Sequence, residues 1–384
     1  MKTGRIQSLD QFRGFTVLAM FVVNFVHGMD NVPRLFHHAE NWFSLADWIM
    51  PAFLFVVGMS FRLTWPRRVQ KSGERAARLG YVKRSLILIG VSLFVFGFGS
   101  PIAALLKARL WEVLAIIGAS QLLLLPTIGK GTRVRIIAVF VLLLMHAGLS
   151  QWFNVHFVLA KPNLLDSLWG AADVRAWDGG FFGLLSWSAI MLAGTVAYDW
   201  LAELSPARAL RKFVTVGMCG LAVGYAFSCL STFYDLPERK TQDFPSVAAS
   251  PVIPSNAPGK LTLAEPPFTP IPSTESRQVN YWMMSKRLVS IPFAVFGIGF
   301  VFVILGLFVW RCDLGDSGAS VFRILGSNAL AAYLIHHILL KFAFAPWLGR
   351  DSPLWVVLLV LILFLAVMLG IMHLLDKRKW YLRL

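Results

Sequence analysis

About ten apolar runs, each near the length that crosses a bilayer, dominate this chain and leave it few other folds to adopt. They lie at roughly 12–27, 45–62, 84–100, 110–126, 134–150, 181–199, 212–231, 289–310, 321–343 and 353–375. About 20 apolar residues cross the hydrocarbon core as a helix, because a helix satisfies its own backbone N–H and C=O groups where there is no water. The expected fold class is an all-α polytopic membrane protein, with about ten transmembrane helices in one bundle. Composition agrees, since only 15% of the 384 residues are charged, against about 25% in soluble chains. The first run carries Asp10 and Arg13 at its start and lacks a small-residue cleavage site, so no cleaved signal peptide is expected.

The formal net charge of +16 would suggest nucleic acid as a partner of a soluble protein. Here its distribution gives another reason for it. Taking alternate loops as two sets, about two-thirds of the Lys and Arg fall in one set: the N-terminus, 62–84, 127–135, 200–212, 311–323 and the C-terminal KRKWYLRL. Lys and Arg accumulate in cytoplasmic loops and set topology. Both termini are therefore expected on the cytoplasmic side, nucleic acid is not an expected partner, and the loop holding His37 and His38 faces outward. One domain spans 1–384, with a Pro-rich outer loop at about 233–288 that reads either as a plain connector or as a flap over an outward site. The cysteines Cys219, Cys229 and Cys312 have neither CxxC nor metal-ligand spacing, so neither a disulfide framework nor a metal is expected.

The chemistry-bearing residues cluster around 35–60. His38 precedes Asp47 by nine residues at the mouth of a span, which is the material for a His–carboxylate pair that fixes a tautomer and strengthens a base. The plainer readings are a solvated histidine and a helix-starting Asp47. Pro51 is expected to bend its helix near this site. Asn24, deep in the first span, either bonds a neighbouring helix or donates to a developing oxyanion. Arg13 either pairs with Asp10 or presents a cation to a phosphate on the cytoplasmic side. Ser8 and Gln11 fit a capping box. In the ninth run Asn328, Ala332 and His336 are spaced by four and share one face, and an intramembrane histidine usually faces a cavity. Asp178-Gly179-Gly180 reads as a cap for the sixth span. Arg109 with Glu112 reads as a boundary ion pair, and Trp282 with Lys286-Arg287 as a similar flank of the eighth span. No P-loop, GxSxG or HExxH motif is present.

Taken together, SLDQFRG (8–14), FVVNF (21–25), FHHAENWFSLADWIMPAFLFVVGMSF (36–61), DGGFFGLLS (178–186) and GSNALAAYLIHH (326–337) make the chain resemble the transmembrane acetyltransferase family of heparan-alpha-glucosaminide N-acetyltransferase and its bacterial relatives. The resemblance implies transfer of an acetyl group from cytoplasmic acetyl-CoA to an amino or hydroxyl group of an extracytoplasmic sugar or glycan. It places the catalytic histidine on His38 and the spanning asparagine on Asn24. Asp47 lies in the following ADxxxP segment, one residue closer to the histidine than in the family's named enzyme. The Asn and His of the ninth-span motif fall on Asn328 and His336, which with Arg13 are the expected acetyl-CoA contacts. The implied setting is a multi-pass protein of a bacterial inner membrane, with the bilayer, acetyl-CoA, the glycan acceptor and, as one option, a second copy of the chain as partners. A transporter or flippase for a polar solute or glycan precursor is the competing class.

Overall fold

The computed structural model describes residues 6–169, 174–237, 246–272, 275–315, 317–318 and 320–382, and is all helical, with no strand among them. The charges expected at Lys2, Arg5, Arg239, Lys240 and Arg383 lie outside the described residues. Among the described residues nine helices are long and apolar enough to cross a membrane, so the chain is a multi-pass integral membrane protein. The principal helices are α1 (Gln7–Val26), α2 (Ile49–Ser72), α3 (Glu74–Gly97), α4 (Val113–Leu124), α5 (Thr132–Leu149), α6 (Gly180–Glu203), α7 (Pro206–Cys229), α8 (Ile291–Phe308), α9 (Ser320–Ser327), α10 (Ala329–Leu339) and α11 (Leu354–Lys377).

Two expected runs are realised differently. The run at 110–126 becomes α4, whose 12 residues cover about 18 Å at 1.5 Å per residue, short of the ~30 Å hydrocarbon core. The break falls where Arg109 and Glu112 pair at 3.3 Å, a polar seam that sliding-window hydropathy averages away. The chain nevertheless runs back along α3: Gly97 lies beside Leu105 and Arg109, Gly118 beside Ser85, and Arg78 donates to the Leu125 carbonyl at 2.9 Å. The run at 321–343 is divided at Asn328, whose φ of −137° and ψ of 46° separate α9 from α10.

Between lipid-embedded helices there is little hydrophobic driving force, so close backbone packing has to hold them together. α6 is the central element, with 78% of its apolar window buried against 22% in α11. Its contact with α2 depends on Gly58 and Gly194, where a Cβ would lie 1.9 Å from the Met191 carbonyl oxygen and 2.0 Å from that of Phe55. Large apolar side chains such as Leu144, Phe342 and Ile362 point outward from the bundle, toward the acyl chains.

One end of the bundle gathers the N-terminal turn, 311–327 and the C-terminal tail. Ser8 does not cap α1: the helix begins at Gln7 with no side-chain cap, and the Ser8 hydroxyl donates to Asp313 at 2.6 Å. At the same end Asp199 accepts from Arg62 at 2.8 Å and also pairs with the buried Arg135. The opposite end carries the loop after α1 and the long connection after α7. Pro51 sits in the first turn of α2, where its missing N–H costs nothing, so the expected bend is not needed there. Of the Pro-rich connection, 238–245 and 273–274 lie outside the described residues. The rest folds back onto the bundle: Arg277 is buried between Asp235 and Glu265, and the Phe268 amide donates to the Phe43 carbonyl at 3.0 Å.

Candidate active site

The turn from His37 to Trp48 folds around one buried carboxylate. Asp47 is fully buried, accepting from His38 Nδ1 at 2.9 Å, the Ala39 amide at 3.1 Å and the Ser44 hydroxyl at 2.7 Å, with the Ser44 amide at 3.3 Å. A carboxylate can only accept, so His38 carries its proton on Nδ1 and keeps the Nε2 lone pair on the opposite ring edge. His37 is held differently, since its Nε2 donates to the Val32 carbonyl at 3.0 Å.

His38 opens onto a cleft of about 270 Å³ lined also by His27, Glu40, Trp177, Asp178, Lys286 and Arg287. Lys286 comes from the turn before α8 and is buried, its ammonium 3.5 Å from His38 Nδ1. That turn is pinned to the histidine loop, with the Ser285 hydroxyl donating to the Glu40 carbonyl at 2.6 Å and Arg287 reaching the Glu40 carboxylate at 2.5 Å. Burial first, and then the Lys286 charge, lower the His38 imidazole to about 4 against the opposing pull of Asp47. His27 is also lowered, by burial and then by His37. The Asp178 carboxyl is raised by burial, with Lys286 opposing.

Asn24 and His336 meet each other. The Asn24 amide donates to His336 Nε2 at 2.9 Å, and Phe21, tilted, and Tyr333, edge-on, pack against the same imidazole. This pair lies one helical turn from His27 on α1 and one turn from Tyr333 on α10. Tyr333 lines a second cavity, of about 160 Å³, with Arg13, Thr16, Ser60, Arg84 and Gln121. Arg13 is on that lining and pairs with Asp10 at 3.1 Å. His27, just past the end of α1, is fourteen residue steps from Arg13, about 21 Å along the axis. Asn328 faces neither cavity: its amide donates to the Trp380 carbonyl at 2.9 Å and its oxygen accepts from the Leu382 amide at 3.0 Å. Among the described residues no cluster is suited to a metal.

The dyad members were visible in the sequence at nine-residue spacing, but Lys286 and Asp178 as cleft residues were not. Lys286 had read as a flank of its span. Asp178 had read as a cap, yet Gly179 occupies the cap position of α6 without any side-chain bond. A signal was available: each is a charged residue close to an apolar span on the side of the chain that is poor in positive charge. A family model described as an acyltransferase domain matches residues 6–373. No curated protein matches the chain.

Proposed function

The chain belongs to this acyltransferase family, and we propose that it moves an acetyl group from acetyl-CoA at its basic, cytoplasmic end to an amino or hydroxyl group of a sugar or glycan in the outer cleft. The observation that carries this reading is the His38–Asp47 dyad, its imidazole neutral and open to that cleft. The reading agrees with the resemblance to the amino-sugar acetyltransferases, whose bacterial relatives suggest an inner-membrane setting.

CoA is too large and charged to cross the bundle, so its phosphates belong near the basic end, with Arg13 and the inner cavity admitting the acyl arm. A nucleophile must lose a proton as it attacks a thioester, and a neutral imidazole can take it. In direct transfer the acceptor attacks the acetyl carbon, its proton passes to His38 Nε2, the C–S bond breaks and the thiolate leaves. In the two-step route Nε2 attacks the acetyl carbon and the CoA thiolate leaves, and the acceptor then attacks the acetyl-imidazole, breaking the C–Nε2 bond and giving its proton to the released ring. Asp47 serves both routes by holding the ring and stabilising the imidazolium that forms. Asn24 and His336 lie between the two cavities, where one Asn24 N–H remains for an acyl oxygen once the other is given to His336.

A helix broken at depth is also how transporters build substrate sites. The break at Asn328 lies instead at the tail end of the bundle, where the backbone of 380–382 fills it, which supports acyl transfer over that reading. The test uses purified protein, radiolabelled acetyl-CoA and a panel of amino sugars and neutral sugars. Labelled product should form with the wild type, and His38→Ala should abolish it. Full activity in His38→Ala would remove His38 from the chemistry.

A further inference from the structure

Across the cleft from the dyad is a carboxylate with no partner of its own. Asp178 is buried at 6% exposure, and among the described residues its side chain makes neither a hydrogen bond nor an ion pair, although it lines the same cleft as His38 and Lys286. Leaving a desolvated carboxylate without donors is unfavourable. The backbone is also held in an uncommon shape to keep it there. Asp178, Gly179 and Gly180 have φ values of 42°, 84° and 57°, three successive residues in the left-handed region. That conformation is strained for a residue with a Cβ, and such strain clusters at binding sites. The turn is fixed from below, because the Asp178 carbonyl accepts from Trp187 Nε1 at 3.0 Å and a Cβ on Gly183 would meet that oxygen at 2.8 Å. Beside it Trp177 is 40% exposed, with the Arg287 guanidinium over its ring at 5.3 Å.

We propose that Asp178 reads the acceptor: its carboxylate receives the N–H groups of a primary amine and positions that nitrogen at His38. This rests on the acyl-transfer reading of the cleft. An ammonium supplies the charge-assisted donors that the carboxylate lacks and gives up one proton to solvent before its nitrogen attacks, whereas a hydroxyl supplies one neutral and weaker bond. Asp178 therefore acts in amine selection, apart from the proton transfer assigned to His38.

The test measures equilibrium binding of glucosamine and of glucose to the purified, full-length protein without acetyl-CoA. The wild type should bind glucosamine about tenfold more tightly, a charge-assisted bond being about twice as strong as a neutral one. Asp178→Asn should bring the two sugars within about twofold. Asn tolerates a positive φ, so the turn should survive the change, and Asp178→Glu, which keeps the charge, should keep the preference should the amide variant fail to fold. No preference in the wild type, or the same preference in Asp178→Asn, would overturn the assignment. Selective glucosamine binding without acetyl transfer would sink the proposed reaction and leave Asp178 as an amine site. Acetyl transfer without amine preference would do the reverse.

Discussion

At the scale of single residues, the cleft keeps one imidazole uncharged beside a carboxylate that orients it. His38 titrates ordinarily at 6.5 and falls to about 4 in the fold. Between those values the unfolded chain binds a proton that the folded one does not. The His38 contribution to stability therefore weakens as pH drops through that window and changes no further below about 4. Activity follows the neutral ring, so the acid limb of kcat/KM should lie near pH 4. Lys286→Met removes the cation 3.5 Å from Nδ1 and should move that limb toward 6.5, while Lys286→Arg should leave it in place. A limb unmoved in Lys286→Met would separate the lysine from the histidine's charge. Asp47→Asn, which can no longer hold Nδ1–H with a charge, should lower kcat by about a hundredfold or more. A loss below threefold, measured at saturating donor, would reduce Asp47 to a loop anchor.

At the scale of elements, the helices hold where small residues or tail contacts let backbones meet. Gly194→Val would drive a side chain into the Phe55 carbonyl, 2.0 Å from the position of a Cβ. It should abolish the folded, detergent-extractable protein, and normal yield with an unchanged melting temperature would show that α2 and α6 can separate freely. Asn328→Ala leaves a carbonyl and an amide of the tail without partners and should cost about 1–3 kcal/mol, read as a lowered thermal midpoint. An unchanged midpoint would mean that the tail is held by other contacts. Hydropathy made most of these elements legible in the sequence, because a spanning helix has to be apolar along its whole length. It misjudged 110–126 and 321–343, since a break needs only one polar seam or one residue out of helical φ and ψ, and window averages conceal both. The site was half legible for a related reason. His38 and Asp47 are neighbours in the chain and in space, while Lys286 and Asp178 reach the same cleft only through contacts between distant segments. Asn24 and His336 each stand out in the sequence as polar residues within spans, but that they bond each other depends on how α1 packs against α10.

At the scale of the whole molecule, the arrangement has two ends. The Arg13 cavity opens among the basic elements and the His38 cleft at the far end. Cysteine placed at Leu261, 56% exposed in the connection after α7, should react with a membrane-impermeant maleimide in intact cells once the native cysteines are replaced by serine. Cysteine at Arg75, at the start of α3, should react only after permeabilisation. The reverse pattern would invert the topology. The most direct measurement of the central claim reconstitutes the protein in sealed vesicles, in one orientation, with radiolabelled acetyl-CoA at the basic end and glucosamine in the compartment facing the cleft. Labelled N-acetyl sugar should accumulate in the cleft-side compartment and disappear with His38→Ala. Product that forms only when donor and acceptor share one compartment would contradict transfer across the membrane.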